Sequence, residues 1–222
     1  MIIAIDGPAA SGKGTLARHL AAIYGLAHLD TGLLYRAVGM KAHELGIFDE
    51  RDLALVASQL TLEDLHNPSL RGDEAGIRAS KVAVFPEVRS ALVAFQRSFA
   101  KDPPDPFSGA VLDGRDIGTV ILPEASIKFY VTTDIEVRAK RRFQELKERA
   151  MPASYEDVLC DMHDRDARDQ GRAHAPLKIA EDAFVIDATA LTPEDVFAKA
   201  KDYITKVQGT ILAQSKMSLQ QP

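Results

Sequence analysis

The chain has 222 residues, 46% of them hydrophobic, and carries 27 Lys and Arg against 32 Asp and Glu, a formal charge of −5. That is enough for one well-buried core and short for two independent domains, and the acidic balance argues against binding a nucleic-acid polymer, which needs a basic surface. A lone cysteine, Cys160, excludes an internal disulfide and a Cys-rich metal site, and no stretch has the form of a signal peptide or a membrane span, so a cytoplasmic protein is expected.

Residues 2–5, Ile-Ile-Ala-Ile, read as a short buried strand, followed by a Gly-rich turn and a helix over 15–24 with Leu16, Leu20 and Ile23 at helical spacing. Residues 27–29 give a second strand ending at Asp30-Thr31-Gly32, then helices over 33–45 and 53–59. The stretch 63–79 has weak periodicity and reads as loop. Residues 82–99 read as helix, kinked or restarted at Pro86, before the break at Pro103, Pro104 and Pro106. Strands follow at 109–112, ending in Asp113-Gly114-Arg115-Asp116, and at 127–131. Helices over 134–149 and 156–170 precede a last strand at 184–186. Thr192-Pro193-Glu194 opens a final helix, with Thr at the N-cap and Pro at the first position. A frayed polar tail is expected from Gln208. Short strands alternating with helices indicate a mostly parallel α/β sheet.

Gly7-Pro8-Ala9-Ala10-Ser11-Gly12-Lys13-Gly14-Thr15 holds the spacing G-x-x-x-x-G-K between a strand and a helix. Small residues let the backbone wrap a diphosphate, the helix start adds its positive dipole end, and Lys13 reaches the terminal phosphates. The expected ligand is a nucleoside triphosphate with Mg²⁺. The hydroxyl comes at Thr15 rather than directly after Lys13, the G-K-G-T form of nucleoside monophosphate kinases. Thr31 and Arg36 follow the second strand, where an open α/β sheet binds ligands. Asp113 stands at a strand end as a Walker-B Asp does, so Thr15 and Asp113 are the expected Mg²⁺ ligands. Arg165, Asp169 and Arg172 share a helix face if the helix persists past Gly171, itself a candidate helix end, and Arg138, Arg141 and Arg142 form a second basic cluster. Mobile arginines of this kind stabilise a transferred phosphoryl group. The histidines lack ligand spacing, and Cys160 reads as a packing residue.

Five motifs taken together resemble the bacterial-type cytidylate kinase family over nearly the whole chain. They are Ile5-Asp6-Gly7-Pro8 running into Gly12-Lys13-Gly14-Thr15; Asp30-Thr31-Gly32 with Tyr35-Arg36; Ala79-Ser80-Lys81-Val82-Ala83 with Pro86-Glu87-Val88-Arg89; Leu112-Asp113-Gly114-Arg115-Asp116-Ile117-Gly118-Thr119-Val120; and Arg165-Asp166-Ala167-Arg168-Asp169 with Arg172-Ala173 and Ala175-Pro176-Leu177. The resemblance implies a three-layer P-loop kinase fold with a parallel central sheet, a lid and a small inserted monophosphate-binding lobe. The core would take about 1–60, 107–135 and 178–207, the insert about 61–106, the lid about 136–177 and the tail about 208–222. It implies transfer of the γ-phosphoryl of ATP to CMP or dCMP by a monomer. Thr31, Arg36 and Arg115 would hold the acceptor phosphate. Ser80, Arg89 and Asp116 would read cytosine, whose amino group suits Asp116 and whose ring acceptors suit Arg89. Arg165 and Asp169 would face the ribose or phosphate, and Arg172 would close on the nucleotide. Lys13, Arg115 and Arg165 are the expected catalytic side chains. The segment before Ser80 is shorter than in many members, and Ala10 stands where many have Gly. A kinase for UMP, AMP or a shikimate-like acceptor is the nearest rival. A P-loop switch is the rival of another class, and the Asn-Lys-x-Asp motif of guanine-nucleotide switches does not occur.

Overall fold

The computed structural model describes residues 1–149 and 151–218. Strands β1 (Ile2–Asp6), β2 (Ala27–Asp30), β3 (Ala110–Gly114), β4 (Ile127–Thr132) and β5 (Phe184–Asp187) form one parallel sheet in the order β2-β3-β1-β4-β5. The central strand β1 is the first in sequence, so the Gly-rich loop leaves from the middle of the sheet. Its register pairs Ile5 with Asp113 and Asp6 with Gly114, which brings the two expected site segments side by side at the carboxyl ends of the strands.

Helices cover both faces, as a parallel sheet requires. On one face α1 (Lys13–Tyr24) and α8 (Pro193–Ser218) pack Leu16, Leu20, Val196 and Ile204 on Ile3, Ile5 and Phe129. On the other lie α2 (Thr31–Leu45), α3 (Glu50–Ser58) and α5 (Pro86–Lys101), where Leu34, Leu53, Val88 and Leu92 join Leu29 and Leu112. Helices α6 (Ile135–Glu148) and α7 (Tyr155–Gly171) form a hairpin with a small cluster of its own, Ala139, Leu146, Val158 and Met162. No helix among the described residues is long and apolar enough to cross a membrane.

Several expectations need correction. The stretch 63–79 is not loop: two 3₁₀ turns, Glu63–His66 and Pro68–Arg71, lead into a further helix, α4 (Asp73–Val82). Its buried positions Ala75, Ala79 and Val82 are mostly alanines, too small to make a hydrophobic stripe. Its approach is fixed from afar, since Arg36 Nη1 donates to Leu70 O at 2.7 Å and to Gly72 O at 2.9 Å. Of the two options at Pro86, a kink or a helix start, the start is the one found, and before it only Val82 is helical, as the last residue of α4. Phe85 is extended and Pro86 begins α5 at its first turn, as the residue before a proline dictates. The polar tail does not fray at Gln208, because α8 runs to Ser218, and residues 219–222 lie outside the described residues. Ile23 is exposed, and Ala17 and Ala21 complete the buried face of α1 instead. Cys160 is exposed rather than packed: the buried face of α7 runs through Val158, Met162 and Asp169.

Candidate active site

Backbone sterics shape the loop first. A Cβ at Gly7 would lie 2.1 Å from Val131 O, so only glycine lets the chain turn here against β4. Ala10 (φ 56°) and Gly12 (φ 92°) take left-handed conformations, and α1 begins at Lys13. Two side chains hold the loop carbonyls outward: Thr133 Oγ1 donates to Ser11 O at 3.1 Å, and Arg138 Nη1 donates to Ala9 O at 3.1 Å. This changes the reading of Arg138. It is buried and paired with Asp166 at 2.6 Å, so it braces the loop rather than closing over a phosphate. Lys13 Nζ donates to Pro8 O at 3.2 Å. Burial, and next the Arg115 charge, push the Lys13 amine down to about 7. A cation held so reluctantly gains most from an arriving anion.

Two cavities meet at this loop. One, of about 350 Å³, is lined by Thr31, Arg36, Ser80, Arg89, Asp113, Arg115, Asp116, Arg165, Asp169 and Arg172, every acceptor-side residue named from the sequence. Its lining cations outnumber its carboxylates two to one. The other, of about 410 Å³, runs along Ser11–Leu16 to Arg141, Leu191, Pro193 and Val196. Lys13, Gly14 and Ala10 belong to both walls.

Five of the cations lining the first cavity, Lys13, Arg36, Arg89, Arg115 and Arg172, bond to named protein groups. Asp169 accepts from Arg115 Nε at 2.7 Å through one oxygen and from Arg172 Nη2 through the other. A single carboxylate on α7 therefore orders two arginines, and their charges hold it below the usual carboxylate range although burial opposes this. Arg89 pairs with Asp116 at 2.6 Å, both sides buried, and its guanidinium lies 5.5 Å from the Tyr35 ring centre. Arg168 Nε donates to Ser80 Oγ at 3.1 Å, a link from α7 across to α4. Thr31 Oγ1 donates to Asp113 O at 2.8 Å. Burial, and next Arg115, push Arg165 down to about 10.

For a divalent cation the donor set is sparse. Asp113 Oδ2 is bonded to His28 Nε2 at 2.8 Å, while Oδ1 lies 3.8 Å from where a Gly14 Cβ would stand. No cluster of three His, Cys, Asp or Glu occurs among the described residues. One carboxylate oxygen fits Mg²⁺, which completes its shell with phosphate oxygens and water. Thr15 lines the second cavity and Asp113 the first, on either side of Gly14, which lines both.

Sequence reasoning missed Arg71 and Arg149 in the first cavity, and Arg18, Leu191, Pro193 and Val196 in the second. It gave no role to Asp6, which is buried and lines neither cavity. The three residues from the 191–196 segment reach the loop only through the packing of α8 on α1, and no local pattern announces that.

A family model described as "Cytidylate kinase" matches residues 3–206. A cytidylate kinase of Paramagnetospirillum magneticum is 56% identical over 202 residues, 90% of this chain and 95% of that protein. One of Rhodopseudomonas palustris is 52% identical over 210 residues, 94% of this chain and 98% of that protein. A crystal structure of an uncharacterized protein from Eubacterium ventriosum covers 94% of this chain and 98% of its own, with a TM-score of 0.50 at 16% identity, a likeness of fold alone.

Proposed function

Because this chain belongs to the cytidylate kinase family, we infer that it transfers the γ-phosphoryl group of ATP to CMP or dCMP, giving ADP and CDP or dCDP, with the donor in the second cavity and the acceptor in the first. The observation that carries this reading is that two separate cavities share one wall at Lys13. Two nucleotides bound one in each would meet phosphate to phosphate there, the arrangement in-line transfer requires.

In this reading the backbone N–H groups of the Gly7–Thr15 loop, those of Ala9, Ala10, Ser11, Gly12 and Gly14 among them, cradle the donor phosphates, and Pro8, which has no N–H, shapes the turn. Mg²⁺, when bound, neutralises charge on those phosphates. Asp113 and the Thr15 hydroxyl would hold it. Thr31, Arg36 and Arg115 receive the acceptor phosphate. Arg89 and Asp116, locked together by their ion pair, present a donor and an acceptor to one base edge, with Ser80 beside them. Uracil would set a carbonyl oxygen against Asp116. Arg165 and Arg172 complete the anion shell as the α6–α7 lid lies over the cavity, with 61–106 as the acceptor lobe, and water is kept from the transferred group. A nucleotide metabolite as substrate supports a cytoplasmic setting.

Arg115→Ala tests the division of labour. CMP phosphorylation is expected to fall about 10²- to 10³-fold in kcat/KM, with ATP binding nearly unchanged. Equal loss of ATP binding, measured by titration without CMP, contradicts the assignment of Arg115 to the acceptor.

A further inference from the structure

Asp6 ends β1 one residue before the phosphate loop, is 4% exposed, and lines neither cavity. One of its oxygens accepts from the Ile117 N–H at 2.8 Å and the other from the Gly118 N–H at 2.8 Å. These two amides open the π-helical turn Ile117–Ile121, whose own preceding residue, Asp116, supplies no side-chain cap. A carboxylate on the central strand thus caps a turn that follows directly on Arg115 and Asp116. Burying a carboxylate is costly unless its hydrogen bonds are fixed, and both are fixed here on the segment that carries the base reader.

We propose that Asp6 is a positioning residue for acceptor selection: its two-pronged grip on the Ile117 and Gly118 amides holds Arg115 and Asp116 in register with the phosphate loop. This rests on the reading of the first cavity as the cytidine monophosphate site. Asp116 and Arg115 face Asp6 from the turn, Tyr130 faces it from β4, and Lys128, beside Gly118, is tied to Asp182 at 2.8 Å. Burial, against the pull of the two amide bonds, raises the carboxyl to about 7, with Asp116 adding to the rise. Above that pH both oxygens accept fully. As pH falls through it a proton occupies one oxygen and the grip on the turn slackens. The sign for the fold is opposite. The native state takes up this proton between the usual 3.8 and about 7, so protonation adds stability while it loosens the reader. Loss of selection on the acid side is therefore not unfolding.

The test compares wild type with Asp6→Asn, whose amide can accept from only one of the two N–H groups. The ratio of their kcat/KM for CMP cancels titration of the nucleotide phosphates. It is expected to be about tenfold at pH 8.5 and to shrink to about twofold at pH 6, with the KM for ATP moving much less. A ratio independent of pH overturns the proposal. Should the variant fail to fold, the wild-type backbone ¹⁵N–¹H signals of Ile117 and Gly118 decide: they are expected to titrate together with a midpoint about 7, and flat signals overturn the grip. A wild-type enzyme indifferent to the acceptor base would overturn the reading of the cavity instead, and the amide titration would still judge Asp6.

Discussion

At Lys13 the amine is pushed to about 7 by burial and by Arg115, so the free enzyme at pH 8 carries it largely neutral. A triphosphate raises it again, and binding at pH 8 is expected to take up a proton. Calorimetry in buffers of different ionisation enthalpy reads this directly, and ATP affinity should weaken as pH rises from 7 to 9. Buffer-independent heats would contradict it. Asp116 makes a second prediction. Its pairing with Arg89 is buried on both sides, so Asp116→Ala strands a guanidinium and should cost about 3–5 kcal/mol of stability by thermal or urea melting. Asp116→Asn keeps the shape and is expected to lower kcat/KM for CMP by about 10²-fold while narrowing the gap to UMP. The Gly7–Thr15 string was legible in the sequence because phosphate binding there depends on backbone shape, which glycine spacing encodes locally. Asp6 was not, since its partners lie 111 and 112 residues away and a strand-ending Asp looks like a surface residue.

Elements were legible where a stripe of large apolar residues marked them, and α4 lacked one. That helix rests on α2 through a close approach: a Cβ at Gly39 would lie 2.8 Å from Arg78 Cβ. Gly39→Val should therefore push α4 off α2, parting Ser80 from Arg36 and Thr31. A raised KM for CMP with an unchanged KM for ATP, and a stability loss of about 1–3 kcal/mol, are expected. Equal changes in both KM values would show that α4 does not act on the acceptor side alone. The same logic explains α8. Its run past Gln208 begins with Gly209 and Thr210, poor helix formers that read as an end, while its N-cap was plain: Thr192 Oγ1 accepts from Asp195 N at 3.1 Å.

On the scale of the molecule, the alternation of strands and helices foretold a parallel sheet but not its order. Placing β1 at the centre depends on which crossovers pack, and that is set by two cores on opposite faces rather than by any one segment. The α6–α7 hairpin stands apart from both cores on a cluster of four buried residues, so its amides should exchange hydrogen faster than those of β1, β3 and β4. Adding CMP together with a non-hydrolysable ATP analogue should slow exchange across α7, which carries Arg165 and Asp169 and ends just before Arg172, more than either ligand alone. Absence of extra protection would argue against closure over both nucleotides. The central claim, that the cavity between the loop and α7 reads cytosine on a monophosphate, is tested most directly by ATP-coupled turnover of CMP, dCMP, UMP and AMP by the purified enzyme. The account predicts kcat/KM for CMP or dCMP on the order of 10⁴-fold above UMP and AMP, because the wrong base leaves the buried Arg89 and Asp116 unmatched. Turnover of UMP or AMP at a rate equal to CMP would contradict it.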